Sequence, residues 1–376
     1  MINPSEYLGF LLENGISFFT GVPDSLMQNF CSCLMSDLPQ SSHVIAANEG
    51  AAVALAIGDY IGSGNVPLVY MQNSGIGNAI NPLLSLASPD VYAVPMILMI
   101  GWRGEPGFND EPQHKHQGRV TKKMFEAMDI PVYELSADKV IAYEETTQAI
   151  DMSFASNGPV AILVSKGTFE TFTNNNSFGL KAGLTREAAI IATAEALDPK
   201  TIVISTTGMA SRELFEHRVS SGNSGEVDFL TVGGMGHANQ IALGLAMSRP
   251  NQSICCIDGD GAVLMHMGSL AILGQSRKTN ILHMVLNNGV HDSVGGQPTV
   301  ARSIDLCTIA YACGYTGAKK VTSLDELTIL VQEAQKLEGP YFIEVIVNPG
   351  NRSDLGRPTN SPVDNKIFLQ RFLAES

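Results

Sequence analysis

Two loops carry the densest chemistry in this chain. Ile254-Cys-Cys-Ile-Asp-Gly-Asp-Gly261 is an apolar run that stops at Gly-Asp-Gly, and a second apolar run downstream ends in Leu286-Asn-Asn-Gly-Val290. A strand that stops this way sets Asp260 on a tight loop at its carboxyl end, the edge where open α/β sheets bind ligands. Gly259 and Gly261 let the backbone come close to phosphate oxygens, and the helical pattern that follows offers its N-terminus to an anion. Asp260 and Asn288 supply hard oxygens, which suit Mg²⁺ held together with phosphate and water. A lone Gly-Asp-Gly is an ordinary turn; the second loop makes the pair specific.

A third candidate is a carboxylate. In His43-Val-Ile-Ala-Ala-Asn-Glu-Gly-Ala-Ala52, Glu49 follows an apolar strand and opens an alanine-rich helix. By itself it reads as an acid that favours a helix N-terminus. Further polar residues stand beside glycine-rich turns: Asp24 and Ser25, Gln72 and Asn73 with Gly75, Arg103, His114, and Ser293 before Gly295-Gly296. Arg103, His114 and Ser293 could grip an anion through charge-assisted donors. Each has an ordinary reading too. Arg103 suits a surface or an interface, His114 a solvated loop, and Asp110-Glu111 a polar turn.

The elements that must hold these residues follow from hydrophobic patterning. Apolar runs at Val66–Met71, Met96–Ile100, Val160–Val164, Thr201–Ser205, Ser253–Ile257, Ile281–Leu286 and Tyr341–Val347 alternate with helical patterns. Continuous rather than alternating hydrophobicity predicts strands buried on both faces, hence an α/β fold of parallel sheets with helices on each side. The asparagine-rich stretch Thr171–Gly183 predicts a boundary, with domains over 1–172 and 185–376 and a linker over 173–184. Thr185 should cap the first helix beyond it.

Composition narrows the function. Hydrophobic residues make up 44% of 376 residues, enough for two cores, and the net charge of −14 argues against nucleic acid or an anionic membrane as partner. No basic-then-apolar leader is visible, and the longest apolar run, around Val91–Gly101, is too short to span a bilayer. The six cysteines show no C-x-x-C or zinc spacing, so free core thiols in a reducing cytosol are expected.

Taken together, the Gly-Asp-Gly and Asn-Asn loops resemble the cofactor motif of the thiamine-diphosphate-dependent decarboxylases. The resemblance covers nearly the whole chain and implies two domains of the thiamine-diphosphate-binding fold, the first for the pyrimidine ring and the second for the diphosphate. It implies that Asp260, Asn288 and the Val290 carbonyl hold Mg²⁺. Glu49 would hydrogen-bond the pyrimidine ring and so activate the thiazolium carbon. In Thr231-Val-Gly-Gly-Met-Gly-His-Ala238, Met235 would hold the cofactor bent and the Gly233 carbonyl would accept from its amine. Thr206, Thr207 and Gly208 would line its pocket. In relatives the glutamate reaches across a subunit interface, which implies a homodimer or a higher homo-oligomer.

Segments around Asp24-Ser25, Gln72–Asn78, Arg103, Asp110–His114 and Ser293–Thr299 look most like the branch of that family that decarboxylates phosphonopyruvate or sulfopyruvate. Asp24 and Ser25 match the position of polar groups facing the substrate. There is one departure. Met71-Gln72-Asn73 stands where pyruvate and benzoylformate decarboxylases carry histidines, so the final proton would come from another group, water or the substrate's own phosphonate. The expected substrate is a small anionic 2-oxo acid, phosphonopyruvate first and sulfopyruvate or another 2-oxo acid second. A thiamine-diphosphate-binding regulator is the non-enzymatic alternative, and the intact Glu49 argues against it.

Overall fold

The computed structural model describes residues 1–173, 183–276 and 280–375. Most of the expected linker lies outside them. The chain divides into two compact units, Met1–Ser177 and Phe178–Ser376.

In the first unit the strands are β1 (Phe19–Gly21), β2 (His43–Ile45), β3 (Leu68–Gln72), β4 (Met96–Gly101), β5 (Val132–Glu134) and β6 (Pro159–Val164). They form one parallel sheet in the order β2-β1-β3-β4-β6-β5. Alternate residues of β4 enter two different cores. Ile97 and Met99 pack with Tyr7, Phe30 and Ala149 from helices on one face. Leu98 and Ile100 pack with Val53, Ala56 and Phe125 from helices on the other. This is why β4 reads as an unbroken apolar run.

The second unit repeats the design with β7 (Ile202–Ser205), β8 (Asp228–Leu230), β9 (Ile254–Gly259), β10 (Ile281–Asn287), a short antiparallel hairpin of β11 (Val290–His291) with β12 (Gln297–Pro298), then β13 (Gly317–Val321) and β14 (Tyr341–Ile346). Its parallel sheet runs β13-β14-β10-β9-β7-β8. Cys255 and Ile257 face helices carrying Ile190, Leu214 and Val331, while Ile254 and Cys256 face helices carrying Ala242, Leu270 and Ala310. Both cysteines are buried, and all six are free thiols.

Thr185 caps the helix Arg186–Ala196 by accepting from the Ala188 N–H, as the sequence predicts. Beyond an irregular stretch over 355–361, Pro362–Glu375 is a helix. Its Asn365 side chain accepts from Leu230 N–H at 3.0 Å and donates to the Asp228 carbonyl at 2.9 Å, so it occupies the open edge of β8. Among the described residues no helix is long and apolar enough to cross a membrane.

Because both sheets are parallel, each gathers the loops that follow its strands along one edge. Asp24, Glu49, Asn73 and Arg103 follow β1, β2, β3 and β4. Thr206, Met235, Asp260 and Asn288 follow β7, β8, β9 and β10.

Candidate active site

Glu49 is the first residue of the helix Glu49–Ser63, whose cap is Asn48, accepting from the Ala51 N–H at 2.9 Å. The Glu49 side chain is buried, with Oε2 accepting from Asn78 Nδ2 at 2.7 Å. Gly75 lies against the carboxyl so closely that a Cβ there would sit 2.3 Å from Oε1. The fold therefore presses this acid onto bare backbone, a placement that a simple helix-end acid does not need.

Asp24 is fully buried behind β1. Its Oδ1 accepts from Leu26 N–H at 2.9 Å, and a Cβ on Gly101 would lie 2.0 Å from the same oxygen. Among the described residues its Oδ2 has no hydrogen-bond partner. Burial pushes the carboxyl up to about 6, with the Leu26 N–H and the nearby Arg103 charge pulling the other way.

Arg103 forms a fork with Asp110, at 2.8 Å through Nε and 2.5 Å through the terminal nitrogen, and donates to Ser25 Oγ at 2.8 Å. Asp110 is therefore a partner of this arginine and not just part of a turn. Ser25, Arg103 and Asp110 line a cavity of about 360 Å³, with the exposed Lys166 also on its wall. His114 is buried, and burial together with Arg103 pushes its imidazole down to about 4, so it is neutral near pH 7. Asn73 is buried as well. Its Nδ2 donates to the Arg103 carbonyl at 2.8 Å and to Thr121 Oγ1 at 2.9 Å. Gln72 turns its amide to Ser74 Oγ at 2.7 Å. The structure thus brings Asp24, Ser25, Arg103 and Asp110 together. It spends Asn73 on bracing the Arg103 loop.

In the second unit Asp260 opens the helix Asp260–Met265 and is buried, with Oδ2 accepting from Thr299 Oγ1 at 2.5 Å. Burial pushes its carboxyl up to about 6. Asn288 donates from Nδ2 to Asp292 Oδ2 at 2.7 Å, while its Oδ1 accepts from Val290 N–H at 3.1 Å. Between them Gly289 adopts a φ of 75°, and a Cβ there would meet Arg302 Cγ at 2.8 Å. Gly261 passes under two side chains: a Cβ on it would lie 2.9 Å from His291 Cε1 and 3.3 Å from Met235 Cε. Gly259 faces open space, with nothing within 4 Å of a built Cβ. Thr206 is buried and Thr207 half-buried, and Gly208, at φ 96°, opens the helix Met209–Ser220. Gly233 is half-buried, and Ser293 is exposed on a 3-10 turn.

The donor set fits a hard divalent cation with phosphate. Asp260, the Asn288 amide and the Val290 carbonyl all offer oxygen atoms, the donors that such a cation takes. The carboxylate among them is desolvated, with one side-chain hydroxyl as its partner. Sequence reasoning missed Asn48, Asn78, Thr299 and Asp292 as supports. Asn48, Asn78 and Thr299 stood inside motifs noted for other reasons, while Asp292 carried no local signal.

Comparison with known proteins agrees with this geometry. Residues 5–126 match the family model described as thiamine pyrophosphate enzyme, N-terminal TPP binding domain, and residues 204–345 match thiamine pyrophosphate enzyme, C-terminal TPP binding domain. A phosphonopyruvate decarboxylase of Streptomyces viridochromogenes is 34% identical over 390 residues, covering 100% of this chain and 95% of that one. One from Streptomyces hygroscopicus is also 34% identical, over 391 residues, with the same coverage. A sulfopyruvate decarboxylase of Methanosarcina acetivorans is 26% identical over 396 residues, covering 99% and 97%. With both halves matched and full-length relatives above 30% identity, this chain belongs to the family of thiamine pyrophosphate-dependent decarboxylases.

Proposed function

We propose that the protein decarboxylates phosphonopyruvate to phosphonoacetaldehyde and CO₂, with thiamine diphosphate and Mg²⁺, as a step in phosphonate biosynthesis. Glu49, pressed onto Gly75, is the observation that carries the catalytic reading, because a protein that only binds the cofactor has no use for a buried activating acid. The substrate rests on the full-length relatives of that name.

Bound thiamine diphosphate supplies a nucleophilic carbon and an electron sink for the electrons released with CO₂. The chain does the rest. Asp260, Asn288 and the Val290 carbonyl would hold the metal, and the N–H groups behind Gly259 and Gly261 would meet the diphosphate. Thr206, Thr207, Gly208 and the Gly233 carbonyl would line the cofactor's pocket, and Met235 would pack against it. Glu49 holds a proton at the pyrimidine ring. Asp24 Oδ2, without a hydrogen-bond partner among the described residues and titrating near 6, holds the proton that ends the cycle. Ser25 and Arg103 face the substrate. Since Asp110 already balances the Arg103 charge, Lys166 on the wall of the same cavity adds to the grip on a dianion. His114, being neutral, contributes no charge there. Gln72 and Asn73 shape the same edge. The smallest active unit is a homodimer, and the free thiols suit a cytosolic setting.

Purified protein with thiamine diphosphate, Mg²⁺ and phosphonopyruvate should release CO₂ and phosphonoacetaldehyde in equal amounts. The second reading, sulfopyruvate decarboxylase, follows from the relative in Methanosarcina acetivorans. Turnover of sulfopyruvate alone would overturn the substrate and keep the chemistry.

A further inference from the structure

We infer that Asp292 is a positioning residue that decides which end of the Asn288 amide faces the metal, and that Arg186 and Glu213 lock Asp292 for this task. The inference rests on the metal reading of Asn288 given above.

A carboxamide has two ends of nearly equal shape, one a donor and one an acceptor. Only the oxygen end can ligate a hard cation. A carboxylate accepts and never donates when ionised. Asp292 Oδ2 meets Asn288 Nδ2 at 2.7 Å, so the amide oxygen must point the other way, where it accepts from Val290 N–H. A flipped amide would set two oxygens against each other. The contact therefore fixes an orientation that the amide's own shape leaves open.

Asp292 is itself held by two groups besides Asn288. Arg186 donates to its Oδ2 at 2.8 Å, and the Gly350 N–H reaches both oxygens at 3.1 and 3.0 Å. Arg186 is 7% exposed and its fork grips Glu213, 2% exposed, at 2.8 and 2.9 Å. The three residues come from the helix Arg186–Ala196, the helix Met209–Ser220 and the turn Asp292–Val294. A buried bidentate pair of this kind adds little net stability, because desolvating both charges offsets their attraction. Holding one metal ligand in register is a use that matches its position.

The test is Mn²⁺ affinity of the full-length protein saturated with thiamine diphosphate, read by the loss of free Mn²⁺ signal in electron paramagnetic resonance. Asp292→Leu should weaken binding by roughly ten- to a hundredfold, the usual effect of removing an outer-shell partner. Asp292→Asn can still turn an oxygen to Asn288 and should stay within about threefold of wild type. Equal loss in both variants, or no loss in Asp292→Leu, would overturn the inference. If Asp292→Leu does not fold, the paired variant Arg186→Gln with Glu213→Gln, which removes both buried charges together, decides: a fall of about three- to tenfold supports the lock, and unchanged affinity rejects it. Failure of the wild-type protein to bind Mn²⁺ with thiamine diphosphate would instead sink the metal reading itself.

Discussion

Among single residues, Asp24 offers the sharpest test by pH. Burial favours its neutral acid in the folded chain, with the carboxyl near 6 against 3.8 when exposed. The folded state therefore binds more protons than the unfolded one between those values. The contribution of Asp24 to stability is full below the unfolded value and is lost as pH rises through about 6. Asp24→Asn removes that dependence. Urea unfolding at about pH 4 and about pH 7 should show the variant gaining roughly 2 kcal/mol on wild type across the interval. A difference that stays constant with pH would show that Asp24 titrates as an ordinary carboxylate. Gly75 gives a second test. A Cβ there would collide with Glu49, so Gly75→Ala should cost kcat at least about tenfold while the metal site of the other unit binds as before. The wild-type rate in Gly75→Ala would mean that the position of Glu49 does not matter.

At the scale of elements, the helix Glu49–Ser63 aims the acid, and its cap is the weak point. Asn48→Ala removes the side-chain acceptor for Ala51 N–H and should cost about 1 kcal/mol of stability, measured by denaturant unfolding. No change would mean the cap is replaced by water. Most of this scaffold is legible in the sequence for a physical reason. β3, β4, β6, β9 and β10 lie inside their sheets, so most of their residues are apolar and the runs stand out. β5, β8 and β13 lie at edges, and two of them have only three residues. β13 even carries the exposed Lys319 and Lys320, which no hydrophobic pattern would reveal. The site divides the same way. Asp260, Asn288 and Glu49 follow strands and sit in local motifs. Asp292 lies only four residues beyond Asn288, but the other partners come from farther along the chain, as Thr299 does for Asp260 and Asn78 for Glu49, and no local spacing encodes those pairs.

At the scale of the whole molecule, the question is how many chains an active site needs. If the smallest active unit is a homodimer whose sites each draw on both chains, two dead chains can rescue each other. Glu49→Ala and Asp260→Ala should each be inactive alone. Co-expressed, about half of the dimers are mixed and each keeps one intact site, so about a quarter of wild-type activity should return. No recovery, with mixed dimers present by mass spectrometry, would place each site within a single chain.

Proton exchange at the reactive carbon of bound thiamine diphosphate probes Glu49 most directly, without any substrate. In deuterated buffer with Mg²⁺, the wild-type protein should exchange that proton at least about a hundredfold faster than Glu49→Ala, with cofactor affinity little changed. Equal exchange in the two proteins would contradict the role of Glu49 and, with it, the catalytic reading of this fold.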